Sequence, residues 1–117
     1  MKGRLGDKIR LQHILDAIQE TELYLHDVTY EQFLGNSEKR FATLKQVEII
    51  GEACNALTEQ LKASNPLVPW KPIIRFRNVS VHEYFGVNLQ IVWEIAKNDL
   101  PDLKEKMISI LNDISDD

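Results

Sequence analysis

A chain of 117 residues with 44% hydrophobic and 27% charged side chains has the size and balance of one folded domain and leaves little room for extended disorder. The formal net charge of −4 argues against non-specific binding along duplex nucleic acid, and a single cysteine, Cys54, excludes an intrachain disulfide and a Cys-based zinc site. No apolar run approaches the ~20 residues of a membrane span, and Met1 to Lys8 lack a secretory apolar stretch, so the expectation is a cytoplasmic protein with no membrane partner.

From Lys8 to Asp27 the residues Leu11, Ile14, Leu15, Ile18, Glu22 and Leu25 recur at steps of three and four, which predicts a first helix. Tyr30 to Gly35 reads as one helical turn that packs Phe33 and Leu34 before a Gly-Asn break. Ser37 is then placed to cap a long helix whose apolar face is Phe41, Leu44, Val47, Ile50, Cys54, Leu57 and Leu61. Asn65-Pro-Leu-Val-Pro69 must interrupt the chain, because proline lacks a donor and restrains the residue before it. A helix is predicted from Trp70 to about Val81, with Pro72 tolerated in its first turn. Gly86 and Asn88 punctuate the chain next. Asn88 is placed to cap a helix over Leu89 to Lys97, and Asn98 or Asp99 to cap a last one with Pro101 in its first turn. The stripe of that last helix is Leu103, Met107, Ile110, Leu111 and Ile114. With short connections and no convincing strand, the expected architecture is all-α, an antiparallel bundle of four to five helices forming a single domain over residues 1–117.

An arginine, a histidine and a tyrosine gather into the eight residues from Arg77 to Tyr84, a grouping that suits phosphodiester chemistry. A guanidinium is permanently charged and matches phosphate oxygens in a planar fork, and imidazole exchanges protons near neutrality. On a continuous helix Asn78 and His82 share a face, and the long stem of Arg77 still reaches a phosphate held at His82. Tyr84 joins them only if the helix frays near His82, which Gly86 favours. The bland alternative stays open from spacing alone: a surface histidine, an arginine paired with Glu83 and a tyrosine filling a gap between helices.

Other constellations are weaker. His13 with Asp16 and Glu22 with His26 have helix-compatible spacing, but the Glu-x-x-His pair of bundle metal sites is absent, and no metal or cofactor is expected. Glu48 and Glu52 read as a solvated or salt-bridged edge, and Cys54 as a buried core residue. No glycine-rich phosphate loop is present.

Several ordered segments together, Val47-Glu-Ile-Ile-Gly-Glu-Ala53, Pro69-Trp70 with Ile73-Ile74, Arg77-Asn78, His82, Tyr84-Phe-Gly-Val87, Ile91-Val-Trp93 and Asn98-Asp-Leu-Pro101, resemble the HepT-like family of HEPN-domain toxins. The resemblance spans nearly the whole chain, and its most specific part is Arg77, His82 and Tyr84. It implies an all-helical HEPN-like homodimer, a metal-independent endoribonuclease and toxin of a type VII-like toxin–antitoxin pair, with the motifs of two subunits meeting in a cleft that takes RNA. It further implies that Arg77 and His82 are catalytic, that Asn78 orients them, and that Tyr84 is modified with adenosine monophosphate by a partner nucleotidyltransferase antitoxin. The chain departs from the family's wording at Glu83, where glycine is common, at Val79 and Ser80, and at Asn88. A carboxylate at position 83 would repel RNA phosphate if it faces the cleft, or raise the pKa of His82. The competing implication is a non-catalytic HEPN-like module that binds a nucleotide or a partner. A third is a dimer whose main role is as substrate of the nucleotidyltransferase, with slow or conditional RNA cleavage.

Overall fold

The structure, a computed structural model, describes residues 3–78 and 89–115. Along them run α1 (Gly3–Leu25), α2 (Tyr30–Leu34), α3 (Ser37–Ala56), α4 (Glu59–Ser64) and α5 (Trp70–Ile74), the last continued by a 3₁₀ turn, Arg75–Asn78. Beyond residue 88 come α6 (Leu89–Glu94), a π turn (Ile95–Asp99) and α7 (Leu100–Ser115). No strand occurs among the described residues, and the all-α reading holds. None of the described helices is long and apolar enough to cross a membrane.

Polar stitches at both ends set the long helices antiparallel. Near the start of α1, the Asp7 carboxylate accepts from the Thr58 amide (2.9 Å) and hydroxyl (2.7 Å), just past the end of α3. At the other end of α1, Lys39 Nζ in the first turn of α3 donates to the Tyr24 carbonyl at 2.7 Å. Against α7, Arg4 donates to the Ile114 carbonyl and Lys104 Nζ pairs with Glu22 at 2.8 Å. Asp7 is only 4% exposed. Its two bonds satisfy a charge that would otherwise be buried without partners, at a cost of about 1–3 kcal/mol or more.

Two apolar clusters fill the space between these helices. The larger joins Leu11, Ile14 and Ile18 of α1 to Val47, Ile50 and Cys54 of α3 and to Leu103, Met107 and Ile110 of α7, with Ile73 and Phe76 closing one side. The smaller gathers Leu25, Phe33, Leu44, Val92 and Ala96. Trp93 borders it, its ring 5.3 Å from Phe33 and 5.8 Å from Tyr30 between centroids.

Several predicted boundaries move. The first helix begins at Gly3 rather than Lys8 and ends at Leu25, with Asp27 in the left-handed region (φ 56°) that often follows a helix C-terminus. The cap of α3 is Asn36, whose side chain accepts from the Lys39 amide, and Ser37 is the first helical residue. Phe33 is fully buried but Leu34 is exposed, and so is Phe41, which lies on the outer face of α3 with Lys45 and Glu52. Leu57 and Leu61 are buried as expected, yet the helix does not run through them. Thr58 breaks it and caps α4, its hydroxyl accepting from the Leu61 amide while donating to Asp7. The segment after Trp70 is α-helical only to Ile74 and then tightens into the 3₁₀ turn.

The predicted break at Asn98 or Asp99 is absent. Leu89 to Ser115 form one helical rod in which residues 95–99 make a π turn, the Leu100 amide donating to the carbonyl of Ile95 five residues back. Pro101 has no N–H and crowds the carbonyl four residues before it, so it disfavours an unbroken α-helical ladder at this point. The proposed cap at Asn88 lies outside the described residues.

Candidate active site

The backbone that carries Arg77 rests directly on α3. A Cβ added to Gly51 would stand 2.3 Å from the Arg77 amide nitrogen, 2.9 Å from the Phe76 carbonyl carbon and 3.0 Å from the Arg77 Cα. Only a residue without a side chain permits that approach. Phe76, next to Arg77, is buried in the main cluster and fixes the turn from the other direction. Arg77 is therefore a half-buried residue on a short turn anchored by its own backbone and by its neighbour's ring.

Arg77 itself has no carboxylate partner among the described residues. Other cations of the bundle are engaged: Lys45 with Glu48, Lys62 with Glu59, Lys104 with Glu22, and Lys97 with the Leu25 carbonyl. A guanidinium with no carboxylate partner among the described residues, on a backbone packed against α3, is suited to an anionic group that arrives from outside. Asn78, the last residue of the turn, is exposed, and since a 3₁₀ helix advances about 120° per residue it projects away from Arg77. His82 and Tyr84, with Val79, Ser80, Glu83 and Asn88, lie outside the described residues. The chain that carries them starts from Asn78, beside the large cluster, and returns at Leu89, beside the small one.

The other constellations carry no site. Glu48 accepts from Lys45 Nζ at 2.9 Å and Glu52 is exposed, the solvated edge read from their spacing. His26 lies 3.3 Å from Asp27 at the surface, and among the described residues no group of three His, Cys, Asp or Glu side chains could hold a metal ion. Cys54 is fully buried, and burial pushes its thiol up to about 12, opposed in part by Lys62, so it is no nucleophile at neutral pH. Sequence reasoning did not single out Gly51 for a role. The available signal was a glycine in mid-helix between Ile50 and Glu52, where it costs helix stability and asks for a packing reason.

Residues 14–110 match the family Ribonuclease HepT-like, a span that includes α3, the Arg77 turn and most of α7. The chain belongs to the HepT-like ribonuclease family. A Thermococcus cleftensis protein named "Probable ribonuclease HepT" is 35% identical over 96 residues, covering 82% of this chain and 87% of its own. A Methanocaldococcus jannaschii protein named "Gamma-glutamylcyclotransferase and putative RNase" is 36% identical over 107 residues. That alignment takes in 92% of this chain but only 48% of the relative, so the HepT-like chain spans about half the length of that protein. No solved structure matches it significantly.

Proposed function

We propose that this HepT-like chain is a homodimeric, metal-independent endoribonuclease acting as the toxin of a toxin–antitoxin pair, with residues 1–117 forming one HEPN-like domain. The observation that supports it best is an Arg77 with no carboxylate partner among the described residues, on a turn seated against Gly51, within a chain that matches a ribonuclease family across residues 14–110. In this reading the ribose 2′-oxygen attacks the adjacent phosphorus as its proton passes to a base, and the bond to the 5′-oxygen breaks as that oxygen takes up a proton. His82 serves one of these two transfers. Arg77 binds the phosphate and stabilises the charge that grows on its oxygens, while Asn78, which the turn directs away from Arg77, is assigned to orient His82. The products are a 2′,3′-cyclic phosphate and a 5′-hydroxyl. DNA lacks the nucleophile and is spared.

Single-stranded RNA incubated with the purified protein in excess chelator is expected to yield cyclic-phosphate ends, with DNA of the same sequence intact and His82→Ala slowed by about 10²–10⁴-fold. Absence of cleavage by the parent protein, or undiminished cleavage by His82→Ala, overturns the assignment; RNA binding without cleavage would favour a non-catalytic module. Tyr84 is the proposed acceptor of adenosine monophosphate from the antitoxin. The added phosphate would set negative charge close to Arg77 in sequence, and the nucleoside would obstruct the cleft. Intact mass after co-expression with the nucleotidyltransferase should show the adduct on the parent chain and none on Tyr84→Phe; an adduct that persists on Tyr84→Phe excludes the tyrosine.

A further inference from the structure

Two grooves flank α5, and their charges are opposite. One lies between α5 and the start of α7, with Pro72, Ile73 and Phe76 inside and Asp99, Asp102 and Lys106 at its edge. The carboxyl of Asp99 is held above the usual carboxylate range by partial burial and by the negative charges of Asp102 and Glu94. That flank repels an anion. The other groove, of about 510 Å³, lies between α5 and the α3–α4 corner and includes Trp70, Lys71, Val68, Ile74 and Lys62. Glu59 is the carboxylate lining it, and it is already paired with Lys62 at 3.1 Å.

From Gln60 to His82 the sequence holds no Asp or Glu but carries Lys62, Lys71, Arg75 and Arg77. Among the described residues no carboxylate pairs with Lys71, Arg75 or Arg77. Lys71 and Arg75 are four apart, joined by the Arg75 amide donating to the Lys71 carbonyl, and both are exposed, so they stand in one row leading to the Arg77 turn. Measured along the axis, Lys71 and Arg77 are separated by roughly 10 Å of rise, with Arg77 turned about 120° out of the row by the 3₁₀ turn. Trp70 is half-buried, and its indole N–H is held by the carbonyls of Lys62 (3.1 Å) and Asn65 (3.0 Å), so the ring is fixed in the groove wall. A fixed indole beside a row of unpaired cations is the pairing that single-stranded nucleic acids use, bases stacking on the ring while the backbone follows the charge.

We infer that the Trp70–Lys71 groove is a subsite for the RNA strand flanking the scissile phosphate, with one base stacked on Trp70 and a neighbouring phosphate on Lys71. This rests on the endoribonuclease reading. Charge selects the occupant: the acidic flank of α5 does not suit RNA, and the basic flank leads to Arg77.

A Trp93→Phe variant keeps an aromatic ring beside Tyr30 and Phe33 and leaves Trp70 as the sole tryptophan. The probe is a fluorescein-labelled, single-stranded 2′-O-methyl oligoribonucleotide, which lacks the nucleophilic hydroxyl and is not consumed. Anisotropy is expected to report binding, and Trp70 emission to fall saturably with the same midpoint. Lys71→Ala should reduce the slope of log affinity against log salt by about 0.7, the loss of one phosphate contact on a single strand. Binding with unchanged Trp70 emission, or an unchanged salt slope in Lys71→Ala, overturns the subsite while leaving the ribonuclease reading intact. Trp70 emission that follows protein concentration and ignores the oligonucleotide assigns the groove to a second copy of the chain, which also overturns it. No binding at all, together with no cleavage of ordinary RNA, removes both.

Discussion

Arg77→Ala is expected to lower the single-turnover rate of RNA cleavage by about 10²–10³-fold, with stability within roughly 0.5 kcal/mol of the parent. The two effects separate because the side chain has no carboxylate partner among the described residues, whereas the backbone beside it is what packs on Gly51. Removing the guanidinium therefore leaves no described charge orphaned. The rate falls because charge accumulates on the phosphate oxygens as the 2′-oxygen attacks, and a donor aimed at that charge is worth more in the transition state than in the ground state. Equal losses in kcat and kcat/KM are the expected signature. A rise in KM alone would make Arg77 a binding residue, and an unchanged rate would remove it from the machinery. Arg77→Lys should recover only part of the loss, since an ammonium keeps the charge but not the planar fork.

Gly51→Ala is the second large effect, and it acts without touching RNA. The three atoms that a new Cβ would meet all belong to the backbone of Phe76 and Arg77, so no rotamer change relieves the contact. Alanine gains about 1 kcal/mol of helix propensity over glycine, while overpacking of this kind costs about 1–3 kcal/mol. The expected balance is a net loss of stability of up to about 2 kcal/mol, accompanied by a cleavage rate down by about 10²-fold as the turn shifts by an ångström. Glu52→Ala, on the exposed face of the same helix, serves as the neutral control. Chemical denaturation and single-turnover cleavage measured together check the point. Parental stability and rate in Gly51→Ala would mean that the turn does not depend on this approach.

The helix faces were legible because burial imposes a period. Leu11, Ile14, Ile18, Val47, Ile50, Cys54, Leu103, Met107 and Ile110 stand out as stripes in the sequence, and they belong to the main cluster. What went unread depended on contacts between distant segments. Thr58 looks like an ordinary residue inside an apolar repeat until Asp7, 51 residues earlier, takes its amide and hydroxyl and makes a helix break stable. Phe41 fits its stripe by spacing and Leu34 reads as packed beside Phe33, yet both are exposed, because among the described residues no helix covers those positions. For the site, the sequence named Arg77 and Asn78 from local chemistry and family resemblance. It was silent on Gly51, since a close approach between a helix and a turn 26 residues later leaves no periodic trace. His82 and Tyr84 remain assignments carried by the resemblance.

The π turn between α6 and α7 amounts to one residue inserted into an otherwise regular helix. Its trace is the five-residue step from Ile95 to Leu100 in a stripe that otherwise advances by threes and fours, with Asn98 and Asp99 standing where an apolar side chain would be due. The extra residue rotates everything downstream by about 100° relative to everything upstream. Val92 and Ala96 can thus serve the small cluster while Ile95, Leu100, Leu103 and Met107 serve the large one. Among relatives, a one-residue gap at this turn would be far from neutral: closing it would force the rod to abandon one cluster in order to keep the other.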